Sequence, residues 1–256
     1  MIATEEKFEF ELTEEVRDKI ENSQNLHVLI SEEDVKDLTS AEMPGVFYRF
    51  VKRTADIVLS FLGLTVLLIP MGIVALAIYI DDPGKVLFRQ YRVGRGGKRF
   101  RFYKFRTMKE NTPKYLSTME VEDPEQYITR LGKILRKTSL DELPQLFNVL
   151  RGDMSLVGPR PLISDEYEIH QMRMRFGVYN IRPGVTGLAQ INGRDTVAPA
   201  EKVRWDVKYV EHFGLLMDLK ILLATVPKVF GCSGVVDGYG SEQYKRDSQE
   251  RTSANK

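Results

Sequence analysis

The feature that most limits what this chain can fold into is Ile57 to Ile80, 24 consecutive residues without a charge. As one straight helix they would extend about 36 Å, enough to cross a bilayer. Two features oppose a simple crossing. Pro70 sits inside the run, where it removes a backbone donor and crowds the preceding turn. Lys52 and Arg53 precede the run, and Lys85, Arg89, Arg92 and Arg95 follow it, so both ends carry the cations that favour the cytoplasmic side. A re-entrant helical hairpin broken at Pro70 meets both conditions, with carbonyls freed at the break covered by Ser60, Thr65 or neighbouring protein. The alternatives are a straight span and a buried soluble helix, and the second is disfavoured by the lack of a polar face.

The charge balance of the rest points to an anionic partner. Residues 1–45 carry 13 acidic and 4 basic side chains of the chain's 36 and 37, leaving 23 acidic and 33 basic in the remainder. Nucleic acid, anionic lipid and a nucleotide sugar all fit a basic body. The acidic leader reads as two short amphipathic pieces, Glu5 to Glu21 and Ser31 to Leu38, and is expected to be mobile or loosely docked. Met1 to Glu21 is too acidic for a signal peptide. The one cysteine, Cys232, excludes an intramolecular disulfide. His27, His170 and His212 lack metal-ligand spacing, and no Walker A sequence or serine nucleophile elbow is present.

Val86 to Met108 alternates apolar, aromatic and basic residues about Gly94 to Gly97, which predicts a small β-hairpin. Its second strand holds Lys104 and Arg106 among aromatics, a pattern that serves an active site, a membrane surface or RNA. Asn111 to Pro124 reads as a loop, and helical spacing returns at Tyr127. A helix carrying Asp141 is expected to run to Leu150 and stop before Gly152, with another over Glu166 to Arg175. Pro183 to Asp195 is rich in turn residues and predicts an ordered surface loop rather than a core strand. Ala200 to His212 and Leu215 to Phe230 are amphipathic helices. The second is apolar enough to lie on a membrane, with Lys220 and Lys228 toward the headgroups, or else to pack in the core. After Gly231 the tail is polar.

The stretch Thr138 to Pro161, TSLDELPQLFNVLRGDMSLVGPRP, carries the chemistry. It sets Asp141 and Glu142 side by side and ends with Arg160 between two prolines. Like charges about 4 Å apart repel by roughly 4 kcal/mol at an effective dielectric near 20, so a carboxylate reaches a phosphate only where that charge is neutralised. Arg136, Lys137, Arg151 and Arg160 are cations close in sequence, and a divalent metal on the acids would add to them. Ser139 to Glu142 also matches a helix capping box, so Glu142 has a structural reading beside the chemical one.

From about Phe47 to Phe230 the chain resembles the bacterial sugar transferases, monotopic phosphoglycosyl transferases that act on polyprenyl phosphate. The matching pieces, in order, are KRTADIVLS (Lys52 to Ser60), the proline-interrupted run, YKFRTM (Tyr103 to Met108), the Asp141–Glu142 block, GPRP (Gly158 to Pro161) and RPGVTGLAQINGRD (Arg182 to Asp195). The resemblance implies transfer of a sugar 1-phosphate from a UDP-sugar to membrane polyprenyl (undecaprenyl) phosphate, with release of UMP. This is the first membrane step of polysaccharide or glycoconjugate assembly. The resemblance also implies that Asp141 takes the nucleophile's place and forms a phosphosugar-aspartyl intermediate, with Glu142 as its partner and Mg²⁺ at the dyad. Arg136, Arg160 and Arg194, with Lys104 and Arg106, are the phosphate-binding candidates.

The implied fold is α+β and mostly helical. It has an acidic extension (1–45), a re-entrant membrane hairpin (46–82) flanked by Lys52 and Arg53, a catalytic domain with a β-hairpin and surface amphipathic helices (83–230), and a polar tail (231–256). It places the enzyme on the cytoplasmic face of the bacterial inner membrane. Its partners would be the UDP-sugar, polyprenyl phosphate and membrane lipid, with no nucleic acid, and a homodimer is left open. The rivals are a non-catalytic basic module binding membrane or nucleic acid, and an inactive scaffold, which the intact dyad disfavours. Which UDP-sugar is used is not legible.

Overall fold

The computed structural model describes residues 44–112, 124–164, 166–192 and 199–230. Its first element, α1 (Val46–Asp81), is a single helix of 36 residues with Pro70 inside it. The break expected at Pro70 is therefore absent. Asp56, Ser60, Leu64, Met71 and Ile78 are its buried residues, in steps of four and seven that follow one side of one helix. Leu64 and Leu67 before the proline and Met71 and Val74 after it pack into the same apolar cluster, with Phe105 and Leu135. Packing on both sides of Pro70 holds the helix through the lost hydrogen bond. The expected polar covers are not used: Thr65 Oγ1 donates to the Phe61 carbonyl at 2.9 Å, and the buried Ser60 hydroxyl has no hydrogen-bond partner.

Both ends of α1 are tied to the same body. Near its start, Asp56 Oδ1 accepts from the Leu156 amide at 2.9 Å and from Ser155 Oγ at 3.1 Å. Lys52 and Arg53, read from sequence as flanking charges of a membrane hairpin, turn inward. Lys52 Nζ lies 2.7 Å from Asp218, which also accepts from the hydroxyls of Tyr48 and Tyr209, while Arg53 donates to the Val149 and Leu150 carbonyls. At the far end Asp82 accepts from the Glu110 amide at 2.8 Å and pairs with Arg106.

The predicted hairpin is present as β1 (Leu87–Val93) and β2 (Arg99–Phe105), antiparallel with Leu87 opposite Phe105 and Val93 opposite Arg99. Gly96 and Gly97 take positive φ at its turn, a conformation that glycine adopts without penalty. The following helices are α2 (Arg130–Thr138) and α3 (Gln145–Arg151), and then β3 (Ser155–Val157), α4 (Tyr167–Arg175), β4 (Gly184–Thr186), α5 (Leu188–Ile191), α6 (Pro199–Glu211) and α7 (Leu215–Phe230). Phe100, Phe102, Val149 and Met154 form a core under the hairpin, and a larger one gathers β3, α4, α6 and α7 about Val157, Val207 and Ile221.

One expectation is reversed over residues 183–192, the described part of Pro183 to Asp195. Gly184–Thr186 is a strand running parallel to β3, and Leu188 to Gln190 are buried. The glycines here serve close approach: a Cβ on Gly184 would lie 2.1 Å from the Gly158 amide nitrogen, and one on Gly187 would lie 2.1 Å from the Gly158 carbonyl oxygen. Glycine reads alike in sequence whether it makes a turn or lets two backbones touch.

A second close approach joins α2 to the end of the hairpin. Thr129 caps α2 by accepting from the Gly132 amide at 2.9 Å, and a Cβ on Gly132 would sit 2.0 Å from the Thr107 carbonyl oxygen. Gly132→Ala should destabilise the protein by about 1–3 kcal/mol, as overpacked sites do. Thermal unfolding of the purified protein should show a melting point several degrees lower, and an unchanged value would refute this packing.

Candidate active site

Asp141 and Glu142 lie in a short 3-10 turn, Leu140–Glu142, between α2 and α3. The chain enters it through Ser139, the one described non-glycine residue with positive φ, at 57°. This left-handed residue ends α2 and redirects the backbone, and the helix expected to carry Asp141 in its first turn begins only at Gln145, with the dyad in the turn before it. The capping box does not form. Ser139 makes no side-chain capping bond, and Glu142 Oε1 instead accepts from Arg160 Nη1 at 3.1 Å.

Three elements bring cations to the dyad. Lys104 comes from β2, Arg136 from the last turn of α2 and Arg160 from the loop after β3, and the charges of all three act on Asp141. Arg136 Nε donates to Thr107 Oγ1 at 2.9 Å, which ties its guanidinium to the strand end that Gly132 packs against. Arg160 is held from behind as well as by its two prolines. Its carbonyl accepts from Arg173 Nη1 at 2.8 Å, and Arg173 donates through Nε to the buried Asp206 at 3.0 Å.

Asp141 is only 6% exposed. Burial raises its pKa to about 6, the adjacent Glu142 carboxylate adds to the rise, and Lys104, Arg136 and Arg160 oppose it. Lys104 is shifted the other way, down to about 8, chiefly by burial, with Arg136 and Arg92 contributing and the two acids opposing. The carboxylate is thus mainly ionised at neutral pH and remains the less solvated of the pair. A strongly perturbed acid set among fixed cations fits attack on an anionic centre.

Of the other sequence candidates, Arg106 is used elsewhere. It is buried, and its guanidinium is engaged by Asp82 and Glu110 at the C-terminal end of α1, where it fastens that helix to the hairpin. Arg194 lies outside the described residues. Pro70 is exposed on the outer side of α1. Arg92, not singled out as a site residue from sequence, acts on Lys104 and donates to the Pro161 carbonyl at 3.3 Å. Strand alternation carried from Lys104 through Phe102 and Phe100, and across the register to Arg92, was the signal that would have found it.

Asp141 and Glu142 are also the group that suits a divalent cation. Among the described residues no cluster of three or more His, Cys, Asp or Glu side chains has metal-binding geometry. Two adjacent carboxylates, one of them pushed toward its protonated form by burial and by the other, match the Mg²⁺ habit of taking one or two carboxylates and completing its shell with water and substrate phosphate.

The sequence pattern described as Bacterial sugar transferase matches residues 47–232. A protein of Sinorhizobium fredii, "Exopolysaccharide production protein ExoY", is 39% identical over 196 residues, which cover 70% of this chain and 84% of that one. "UDP-glucose:undecaprenyl-phosphate glucose-1-phosphate transferase" of Caulobacter vibrioides is 43% identical over 197 residues, 73% of this chain and 72% of its own. "Undecaprenyl-phosphate galactose phosphotransferase" of Salmonella typhimurium is 41% identical over 200 residues, 73% of this chain but only 42% of its own. Because the match runs from the start of α1 past the end of α7 and includes the dyad with its three cations, this protein belongs to the bacterial sugar transferase family.

Proposed function

We propose that the protein transfers a sugar 1-phosphate from a UDP-sugar to polyprenyl phosphate and releases UMP, opening polysaccharide or glycoconjugate assembly at the membrane. The observation that carries this reading is Asp141, a buried carboxylate set among Lys104, Arg136 and Arg160 in a member of this family. Relatives named for undecaprenyl-phosphate sugar transfer support it.

In the first step an Asp141 carboxylate oxygen attacks the phosphorus that bears the sugar. The bond from that phosphorus to the bridging oxygen breaks, and UMP leaves with the oxygen and its electron pair. In the second step a phosphate oxygen of the polyprenyl carrier attacks the same phosphorus. The bond to Asp141 breaks, the carboxylate is restored, and the sugar is left on a polyprenyl diphosphate. An aspartate suits this role because it is ionised without an activating base and forms an acyl phosphate. Lys104, Arg136 and Arg160 neutralise and position the phosphoryl oxygens, which is most of what such a transfer requires. Asp141 and Glu142 would hold Mg²⁺, whose chemistry when bound is to offset the charge of the donor's phosphates.

Exposed apolar side chains on α1 and α7 support a membrane placement. Leu62, Val66, Ile69, Ile73 and Leu76 on α1, and Leu216, Leu219 and Leu223 on α7, are exposed apolar side chains, and α1 is long and apolar enough to cross a bilayer. A crossing helix would have to draw the charged body docked along its whole inner side into the lipid. We therefore place α1 in the cytoplasmic leaflet of the bacterial inner membrane, both ends on one side, in a monotopic arrangement. One substrate is soluble and the other has its phosphate at the bilayer surface, so the site belongs at that interface.

Asp141→Asn should lower UMP release at least about a thousandfold, the scale of removing a covalent nucleophile, in an assay with a panel of UDP-sugars, Mg²⁺ and polyprenyl phosphate. Near-normal turnover by this variant would refute the mechanism. A carboxyl whose folded pKa of about 6 lies above its ordinary value of 3.8 stabilises the fold most at low pH, and that contribution is lost as pH rises through 6. The variant should therefore melt higher than the wild type at pH 7.5, and Mg²⁺ should raise the melting point of the wild type only.

The rate at limiting substrate should rise with pH through about 6 as Asp141 ionises and fall above about 8 as Lys104 loses its proton. A flat profile from pH 5 to 9 would remove both groups from the reaction. Cysteines placed at Thr54 and Lys85 in a Cys232→Ser background should label from the same side of sealed vesicles, whereas opposite-side labelling would establish a crossing.

A further inference from the structure

We propose that Arg49, Arg53, Arg95 and Arg182 form a binding site for a phosphate-type anion at the N-terminal end of α1, separate from the dyad. Two of the four converge on the last turn of α3. Arg53 reaches it from α1, with Nη1 2.6 Å from the Val149 carbonyl and Nη2 2.9 Å from the Leu150 carbonyl. Arg182 reaches it from the segment before β4, with Nε 2.8 Å from the Gly152 carbonyl. A Cβ on Gly152 would lie 3.4 Å from Arg53 Nη2, so the turn and the guanidinium are in close register. Asp141 and Glu142 precede α3, and the seven residues of α3 separate them from this cluster by roughly 10 Å of helix.

The other two arginines complete the recess. Arg49 stands one turn before Arg53 on the same side of α1. Arg95 lies in the hairpin turn, which packs against Val178–Asn180, the segment leading to Arg182. The guanidinium of Arg95 is pushed below its ordinary value by burial and by the charges of Arg182 and Arg49. Arg182 is lowered by burial and by Arg53, with Asp56 opposing. All four side chains are half-buried.

Among the described residues Asp56 is an acid whose charge acts on Arg53 and Arg182, and one carboxylate offsets only part of the charge of four guanidinium groups. Neither Arg49 nor Arg95 has a side-chain hydrogen bond or ion pair there. The acids in reach are committed: Asp56 to Leu156 and Ser155, Asp153 to Arg151 and Asn148, and Asp218 to Lys52, Tyr48 and Tyr209. Arginine forks suit the tetrahedral oxygens of phosphate. The anion comes either from a lipid headgroup or from free phosphate. Val46, Phe47 and Phe50, exposed on the neighbouring sides of the same two turns of α1, set an apolar surface beside the recess, as a headgroup site requires.

The test uses the full-length protein in nanodiscs of neutral phosphatidylcholine. Retention of added phosphatidylglycerol is read by native mass spectrometry, and inorganic phosphate is titrated separately by its effect on the melting point. Arg49 and Arg95 hold no described bonds, so the double variant R49Q/R95Q keeps the fold. It should bind the anion at least five-fold more weakly, while R99Q/R101Q, which removes equal charge from the outer face of the hairpin, should change binding less than two-fold. Binding of phosphatidylglycerol alone identifies a headgroup site, and binding of inorganic phosphate as well identifies a site for the free anion; either supports the proposal. Equal weakening in the two variants, or no binding of either probe to the wild type, would overturn it. So would binding that emerges only in E32Q/E33Q/D34N/D37N, because the carboxylates of the acidic leader would then be the occupant.

Discussion

A carboxylate buried beside a second carboxylate is costly, and the surrounding elements offset that cost with cations. Asp141 is drawn toward protonation by burial and by Glu142, and it remains a usable anion because Lys104, Arg136 and Arg160 act on it together. No single element holds more than one of these cations. Each therefore depends on a separate packing contact: Lys104 on the pairing of β2 with β1, Arg136 on the approach of α2 to Thr107, and Arg160 on the approach of β4 to Gly158. Arg173, itself neutralised by Asp206, holds the carbonyl of Arg160 and so carries the larger core to the edge of the site.

The apolar helix serves the same end from the other side. Its inner side is core: Leu64, Met71 and Ile78 pack with Phe105 and Leu135, on the same strand and helix that carry Lys104 and Arg136. Its outer side is apolar and exposed. Under the proposed function this joins the catalytic cations rigidly to the surface that meets lipid, which allows a soluble donor and a membrane-held acceptor to reach one carboxylate. The charged contacts at both ends of α1, through Asp56 and through Asp82, fix its angle on the body.

Much of this was legible in the chain because it depends on local pattern. Alternation across Val86 to Met108 located the hairpin, and the 3.6-residue period located α4, α6 and α7. The dyad and its cationic neighbours Arg136 and Arg160 were readable because they lie within one stretch of sequence. Lys104 was readable only through its family motif. The errors share a physical cause. Pro70 predicts a break when the helix is considered alone, but side-chain packing before and after it outweighs one lost hydrogen bond. Ser139 and Glu142 match a capping box, yet an arginine from a distant loop competes for the carboxylate. Lys52, Arg53 and Arg106 look like free cations, and their partners Asp218, the carbonyls of α3 and Asp82 are remote in sequence.

The sequence by itself determined the β-hairpin and the amphipathic helices, the apolar run, the acidic pair, and the excess of positive charge outside the leader, because each follows from composition and short-range period. Tertiary structure decided which charges are spent in ion pairs and which remain to act on Asp141. It also decided that the glycines of Gly158, Gly184 and Gly187 join two backbones rather than turn one, and that α1 lies along the body as a continuous helix. These outcomes depend on contacts between residues tens of positions apart, where the free energy of burial and pairing exceeds any local preference.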